Sequence, residues 1–171
     1  MEYWIFFDIA TGAELWRGSG TTGNAAIQPI PDGAGMVIVP QAVVASPTLD
    51  LGVLRTVLCA RIDAEAEAVR QRFITPGPGQ AMEYVYVARE ALDWQADNTA
   101  PVPFIAREAA LRGVPVADIV AEVSAASSAW GSVIGPEIRA VRMKAKSDVM
   151  QAPTLGAIVA ASVIDWSALA P

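Results

Sequence analysis

A single apolar stripe constrains this chain more than any other feature. Leu51, Leu54, Leu58, Ile62, Ala66, Val69 and Phe73 recur every three or four residues, starting just after Asp50. That spacing keeps one face of an α-helix apolar over roughly six turns. Asp50 supplies an N-cap oxygen for the first free amides. The opposite face carries Arg61, Asp63, Glu65, Glu67 and Arg70. A helix here must bury one side and wet the other, so the rest of the chain has to supply what covers it.

The stripe ends at Thr75-Pro76-Gly77-Pro78-Gly79, where proline cannot continue a helix and glycine accepts positive φ. A second helix is expected over 80–95, with Met82, Val85, Ala88 and Leu92 as its apolar face. The short link sets these two helices antiparallel. Pro103 opens a third helix that ends at Arg112 before Gly113. From Val116 to about Met150 the stripe runs through Ile119, Val123, Ala126 or Ala129, Trp130, Ile134, Ile138, Val141 and Ala145. Gly135-Pro136 predicts a kink or a break within it. A last short helix is expected over 155–161.

The first 45 residues have a different period. Tyr3-Trp4-Ile5-Phe6-Phe7 is aromatic and β-branched, a turn follows at Ala10–Ala13, and Glu14-Leu15-Trp16-Arg17 alternates. Pro31-Asp32-Gly33 marks a second turn before a third short strand over 35–40. Such a sheet is too small to stand alone. Trp4 and Trp16 are expected to face one another across the hairpin. Tyr3, Trp4, Phe6, Trp16, Met36 and Ile38 are the candidate contacts for another protein. The fold class is mainly α with a small N-terminal β element (α+β): an antiparallel hairpin or three-stranded sheet, then an antiparallel helical bundle. The expected division is a β-rich docking arm over 1–47 and a helical domain over 48–171.

The chemistry on offer is sparse. No histidine is present, which removes the commonest general base and the His-dependent nucleophile and metal arrangements. The one cysteine, Cys59, lies on the apolar run LRTVLCARI and reads as a small buried hydrophobe. A net charge of −6 with only two lysines argues against a nucleic-acid surface. The glycine loop at 77–79 lacks the lysine and hydroxyl residue of a phosphate loop and has no preceding strand, so it reads as a turn. Asp63 and Glu67 share a helix face while Glu65 points elsewhere, which reads as a solvated surface. Arg139, Arg142 and Lys146 lie along one helix and read as structural charge near its C-terminus. Ser124, Ser127 and Ser128 have no base beside them and read as small residues at a helix contact. No catalytic, cofactor or metal residue is assigned, and the chain is expected not to be an enzyme. The start of the chain has acids where a signal peptide would be basic, and the run LGAIVAASVI is too short to cross a bilayer.

Two stretches carry a resemblance. ARIDAEAEAVRQRFITPGPGQAMEYVYVAREALDW and PFIAREAALRGVPVADIVAEVSAASSAW together resemble the helical segment of small tail-associated proteins of tailed bacteriophages and prophages. The shared features are Phe-Ile-Thr-Pro-Gly at Phe73 to Gly77, Gln-Ala-Met-x-Tyr at Gln80 to Tyr84, and Gly-Val-x-Val at Gly113 to Val116. The chain differs at Pro115, where that pattern carries Thr or Ser, and at Tyr86, where it is basic. The resemblance covers about residues 50–150 and rests on turns and packing. It implies a structural accessory of a phage tail, made in the host cytoplasm and located in the virion. Its partners would be other tail or virion proteins and further copies of itself, without nucleic acid or membrane insertion. A tail-fibre assembly chaperone is the alternative, and a small helical enzyme or regulatory binder the remote one.

Overall fold

The computed structural model describes residues 1–73 and 77–169. It is an α+β fold, with a three-stranded antiparallel sheet followed by helices. Strands β1 (Glu2–Asp8), β2 (Glu14–Gly20) and β3 (Ala34–Val39) lie in the order β2-β1-β3, so the aromatic first strand is central. A 3-10 turn at Ala25–Ile27 lies in the connection from β2 to β3. The helices are α1 (Gln41–Val44), α2 (Leu51–Arg70), α3 (Pro78–Ala96), α4 (Pro103–Arg112), α5 (Val116–Ala129), α6 (Gly135–Gln151) and α7 (Leu155–Ser162). Asp50 caps α2 as expected, its Oδ1 accepting from the Gly52 and Val53 amides at 2.8 and 3.2 Å.

The described chain forms two compact units. One contains the residues up to Ala68 with those from Arg139 onward, and the other is Val69–Ile138. Compactness therefore does not divide the chain at residue 47. The reason is a shared core: Ile5, Phe7, Val37 and Val39 of the sheet pack with Leu54, Leu58 and Ile62 of α2, Val149 of α6 and Ile158 of α7. The small sheet gains in this way the cover that its size demands.

The hairpin tip is fastened to α7 within this first unit. Asp8 Oδ1 accepts from the Thr11 amide and hydroxyl at 2.7 and 2.8 Å, which closes the turn. Gly12 follows with φ +71°, and its carbonyl accepts from the Gly156 amide at 3.1 Å. Thr154 caps α7 by accepting from the Ala157 amide at 3.2 Å. A Cβ on Gly12 would lie 2.2 Å from the Thr154 hydroxyl oxygen, so only glycine fits both the backbone and the space.

The second unit packs Ala91 of α3, Ile105 and Ala109 of α4, and Ile119 and Val120 of α5, with Val102 between α3 and α4. Glu90 of α3 accepts from the Phe104 and Ile105 amides at 3.2 and 3.0 Å, satisfying the open N-terminus of α4. Here the expected apolar face of α3 is corrected. Val87, Ala91 and Trp94 turn inward, while Met82, Val85 and Leu92 are exposed. Carboxylate Glu90 can reach the α4 amides only with that rotation.

No break occurs at Gly135-Pro136. Residues Trp130–Ile134 form a π-helical turn, and the Gly135 amide donates to the Trp130 carbonyl five residues back. The wider turn absorbs the proline, which has no amide for the ordinary ladder and whose ring crowds the carbonyl four residues before it. Of Ala126 and Ala129, one is expected on the buried stripe, and both are exposed. The link expected to set α2 and α3 antiparallel runs through 74–76, outside the described residues.

Candidate docking surface

The sheet is apolar on both faces. Period two places Ile5 and Phe7 on one side of β1 and Trp4 and Phe6 on the other. The register then carries Trp16, Met36 and Ile38 onto the Trp4 and Phe6 side, since Phe6 pairs with both Trp16 and Met36 and Trp4 with Ile38. Five of the six candidate contacts thus share this outer face. Tyr3 does not: it lies on the inner side and packs against the helix-covered core.

The outer face is itself graded. Trp4 and Phe6 are buried beneath Ala25 of the 3-10 turn, with Met36 packed at their edge. Glu2 holds that turn down, its Oε2 accepting from the Ala25 amide at 3.1 Å. Hydrogen bonds from the backbone amides of Gly23 and then Ala25 hold the Glu2 carboxyl below its ordinary range. At the rim, Trp16 remains 44% and Ile38 43% exposed.

Trp4 and Trp16 do not face one another. Trp4 pairs with Gly18, and a Cβ there would lie 2.3 Å from the indole nitrogen, so the ring lies over the glycine. Trp16 instead stacks on Phe6, with ring centroids 4.4 Å apart and planes at 22°. A register shift between Phe6 and Phe7 separates this pairing from an even count around the turn.

Two further apolar residues outside the six candidates, Ile27 and Ile30 in the β2–β3 connection, are exposed. Their signal was available as isolated isoleucines in a stretch otherwise of turn residues. On the β3 edge, the Arg61 guanidinium donates to the Ile38 carbonyl at 2.5 Å. On the inner side, Arg17 makes a two-point ion pair with Glu14 at 2.6 and 3.0 Å and also donates to the Val44 and Ser46 carbonyls.

Asp63, Glu65, Arg142 and Lys146, among the charged candidates, make structural contacts. Asp63 accepts from Arg142 at 2.6 Å and from Lys146 at 2.7 Å, linking α2 to α6. Lys146 first, and then Arg142, lowers the Asp63 carboxyl by hydrogen bonding. Glu65 accepts from the Trp166 indole at 3.2 Å. Ser124 accepts from Gln95 at 2.9 Å, whereas Ser127 and Ser128 are exposed. Cys59 is half-buried, and loss of solvent pushes its thiol pKa up. Among the described residues no cluster of acids and cysteine is placed to hold a metal ion. Of the glycine loop, Thr75 and Pro76 lie outside the described residues, and Gly77 stands at the N-cap of α3. Pro115 opens α5 without a side-chain cap, and Tyr86 stacks on Phe104 with ring centroids 6.2 Å apart. No helix among the described residues is long and apolar enough to cross a membrane. No family model matches this chain, and no curated protein or solved structure shows significant similarity to it.

Proposed function

We propose that this chain is a structural accessory of a phage tail, docking on a neighbouring virion protein through the outer face of its N-terminal sheet. One observation carries the reading: the sheet is apolar on both faces, but the second face is closed only over Trp4 and Phe6. An antiparallel sheet with one side in water ordinarily alternates apolar with polar residues. Here Trp16, Met36 and Ile38 stand where polar side chains would be expected. Aromatic and aliphatic side chains left exposed together on one sheet face are what a protein contact buries. The resemblance of residues 50–150 to tail-associated proteins supplies the setting.

The test is incorporation. Ile38→Asp and Trp16→Asp change side chains that are more than two-fifths exposed. Each variant, shown by circular dichroism to be folded, is expected to fall at least about tenfold in purified particles, because burying an unpaired carboxylate in a protein contact is costly. Undiminished incorporation of both folded variants would overturn the assignment of this face.

A further inference from the structure

The sheet has two edges, and they are treated differently. Along an antiparallel ladder, successive residues turn their amide and carbonyl to one neighbour and then to the other. The Ile38 carbonyl accepts from Arg61, so it points away from β1. Its partner Trp4 therefore bonds in the opposite direction, to Gly18 of β2, and Phe6 in the same phase bonds to Trp16. The loop bonds keep that phase: the Asp8 amide donates to Ala13 and the Ile9 amide to Gly33. Arg17 and Ser19 are left with their amides and carbonyls facing outward along β2. Among the described residues none of these four groups has a partner. On β3, by contrast, Arg61 occupies the outward carbonyl.

The protein element that matches a row of outward amides and carbonyls is an extended strand. Side-chain size indicates which strand. We propose that β2 pairs with β2 of a second copy of this chain, antiparallel about Gly18. In that register Arg17 of each copy exchanges both main-chain bonds with Ser19 of the other, so all four open groups of each copy are satisfied. A large side chain faces a small one at every step, Trp16 opposite Gly20 and Arg17 opposite Ser19. At the axis two glycines meet, with Cα atoms about 4.5 Å apart and no side chain between them. Trp16 leaves the seam clear because it leans back onto Phe6. The Asn24 side chain lies over Gly20, so the Trp16 ring of the other copy meets an amide there. Centring on Arg17 instead would oppose two guanidinium groups. About Gly18 each Arg17 keeps its own Glu14 at 2.6 Å, so the seam adds no net charge to a chain of −6. Because Arg61 guards the β3 edge, the pairing is isologous and closes at two subunits. It uses the sheet's edge and not its outer face, so it stands or falls separately from the docking reading.

Sedimentation equilibrium of the full chain and of Ser19→Pro, across a concentration series, tests the proposal. Proline is tolerated where an edge amide faces outward, but it removes that donor from each copy. The expected result is a monomer–dimer equilibrium that Ser19→Pro weakens by about tenfold or more and Ser19→Ala, which keeps the amide, leaves unchanged. Residue-resolved amide exchange of the unaltered chain reads the register without any substitution. Exchange at Arg17 and Ser19 should slow as concentration rises, and a mixture of isotope-labelled and unlabelled chains should show a contact between the Gly18 α-protons of the two copies. A monomer at every concentration, a dimer indifferent to Ser19→Pro, or a dimer whose Arg17 and Ser19 amides exchange as fast as in the monomer would each overturn the proposal.

Discussion

Gly12→Ala is the sharpest test of how the sheet is fastened to the helices. Two costs add at this position. The backbone is left-handed, with φ +71°, which costs an alanine about 1 kcal/mol or more. The new methyl would also lie 2.2 Å from Thr154 Oγ1 and 2.8 Å from its Cβ. Either the hairpin lifts away or Thr154 abandons its cap on the Ala157 amide, and losing an N-cap costs about 1 kcal/mol. The expected total is about 2–3 kcal/mol. With a urea dependence of about 2 kcal/mol per molar, the middle of the usual range, the midpoint should fall by about 1–1.5 M. Gly33→Ala is the internal control: φ is +76°, but a methyl there would meet no atom within 4 Å, so only the backbone cost of about 1 kcal/mol applies. A double-mutant cycle with Thr154→Gly, which clears the space while keeping a tolerated cap residue, should recover about 1 kcal/mol of the Gly12→Ala loss. Hydrogen exchange of β1 peptides localises the effect to the first unit. Equal costs at Gly12 and Gly33, with no coupling to Thr154, would refute the contact.

Three further outcomes follow from the packing and charge. Gly18→Ala should cost about 1–3 kcal/mol and red-shift tryptophan fluorescence, because its methyl would displace the Trp4 indole lying 2.3 Å away; an unshifted spectrum would contradict the stacking. Leu58→Ala removes a fully buried side chain and should cost about 2–5 kcal/mol, whereas Leu92→Ala, measured in dilute monomer, should stay within about 0.5 kcal/mol; comparable losses would mean that α3 is rotated otherwise. Asp63 has a lowered carboxyl pKa, so its contribution is present above the unfolded carboxyl pKa and disappears as pH falls through the folded value. Asp63→Asn should cost no more than about 1 kcal/mol at neutral pH, given a carboxylate 42% exposed, and the gap to the parent should close in acid. A gap that persists in acid would show that the carboxylate charge is not its source.

What the sequence disclosed depended on how many ways a pattern could be satisfied. The α2 stripe from Leu54 to Val69 has one apolar side and a charged opposite side, so only one rotation buries it, and all of it is buried. Helix α3 has two apolar sides. Periodicity finds both but does not say which turns inward, and the choice rests on Glu90 meeting amides of α4. In the sheet, period two already separates Tyr3 from Trp4 and Phe6, so its place on the inner face was legible. The partner of Trp4 was not, because the register shift between Phe6 and Phe7 leaves no mark in the composition. Helix α1, four residues long, is too short to show a period. The pairing of Asp63 with Arg142 and Lys146 joins positions 79 and 83 residues apart, which spacing along the chain does not reveal.

On the proposed function, this chain is a fixed part of an assembled particle. Quantitative mass spectrometry of gradient-purified particles, compared with the infected-cell lysate, tests it most directly. The expected result is a constant copy number per particle, set by the symmetry of the tail. Abundance in the lysate with absence from the particles would contradict it, and would leave an assembly chaperone or a cytoplasmic role.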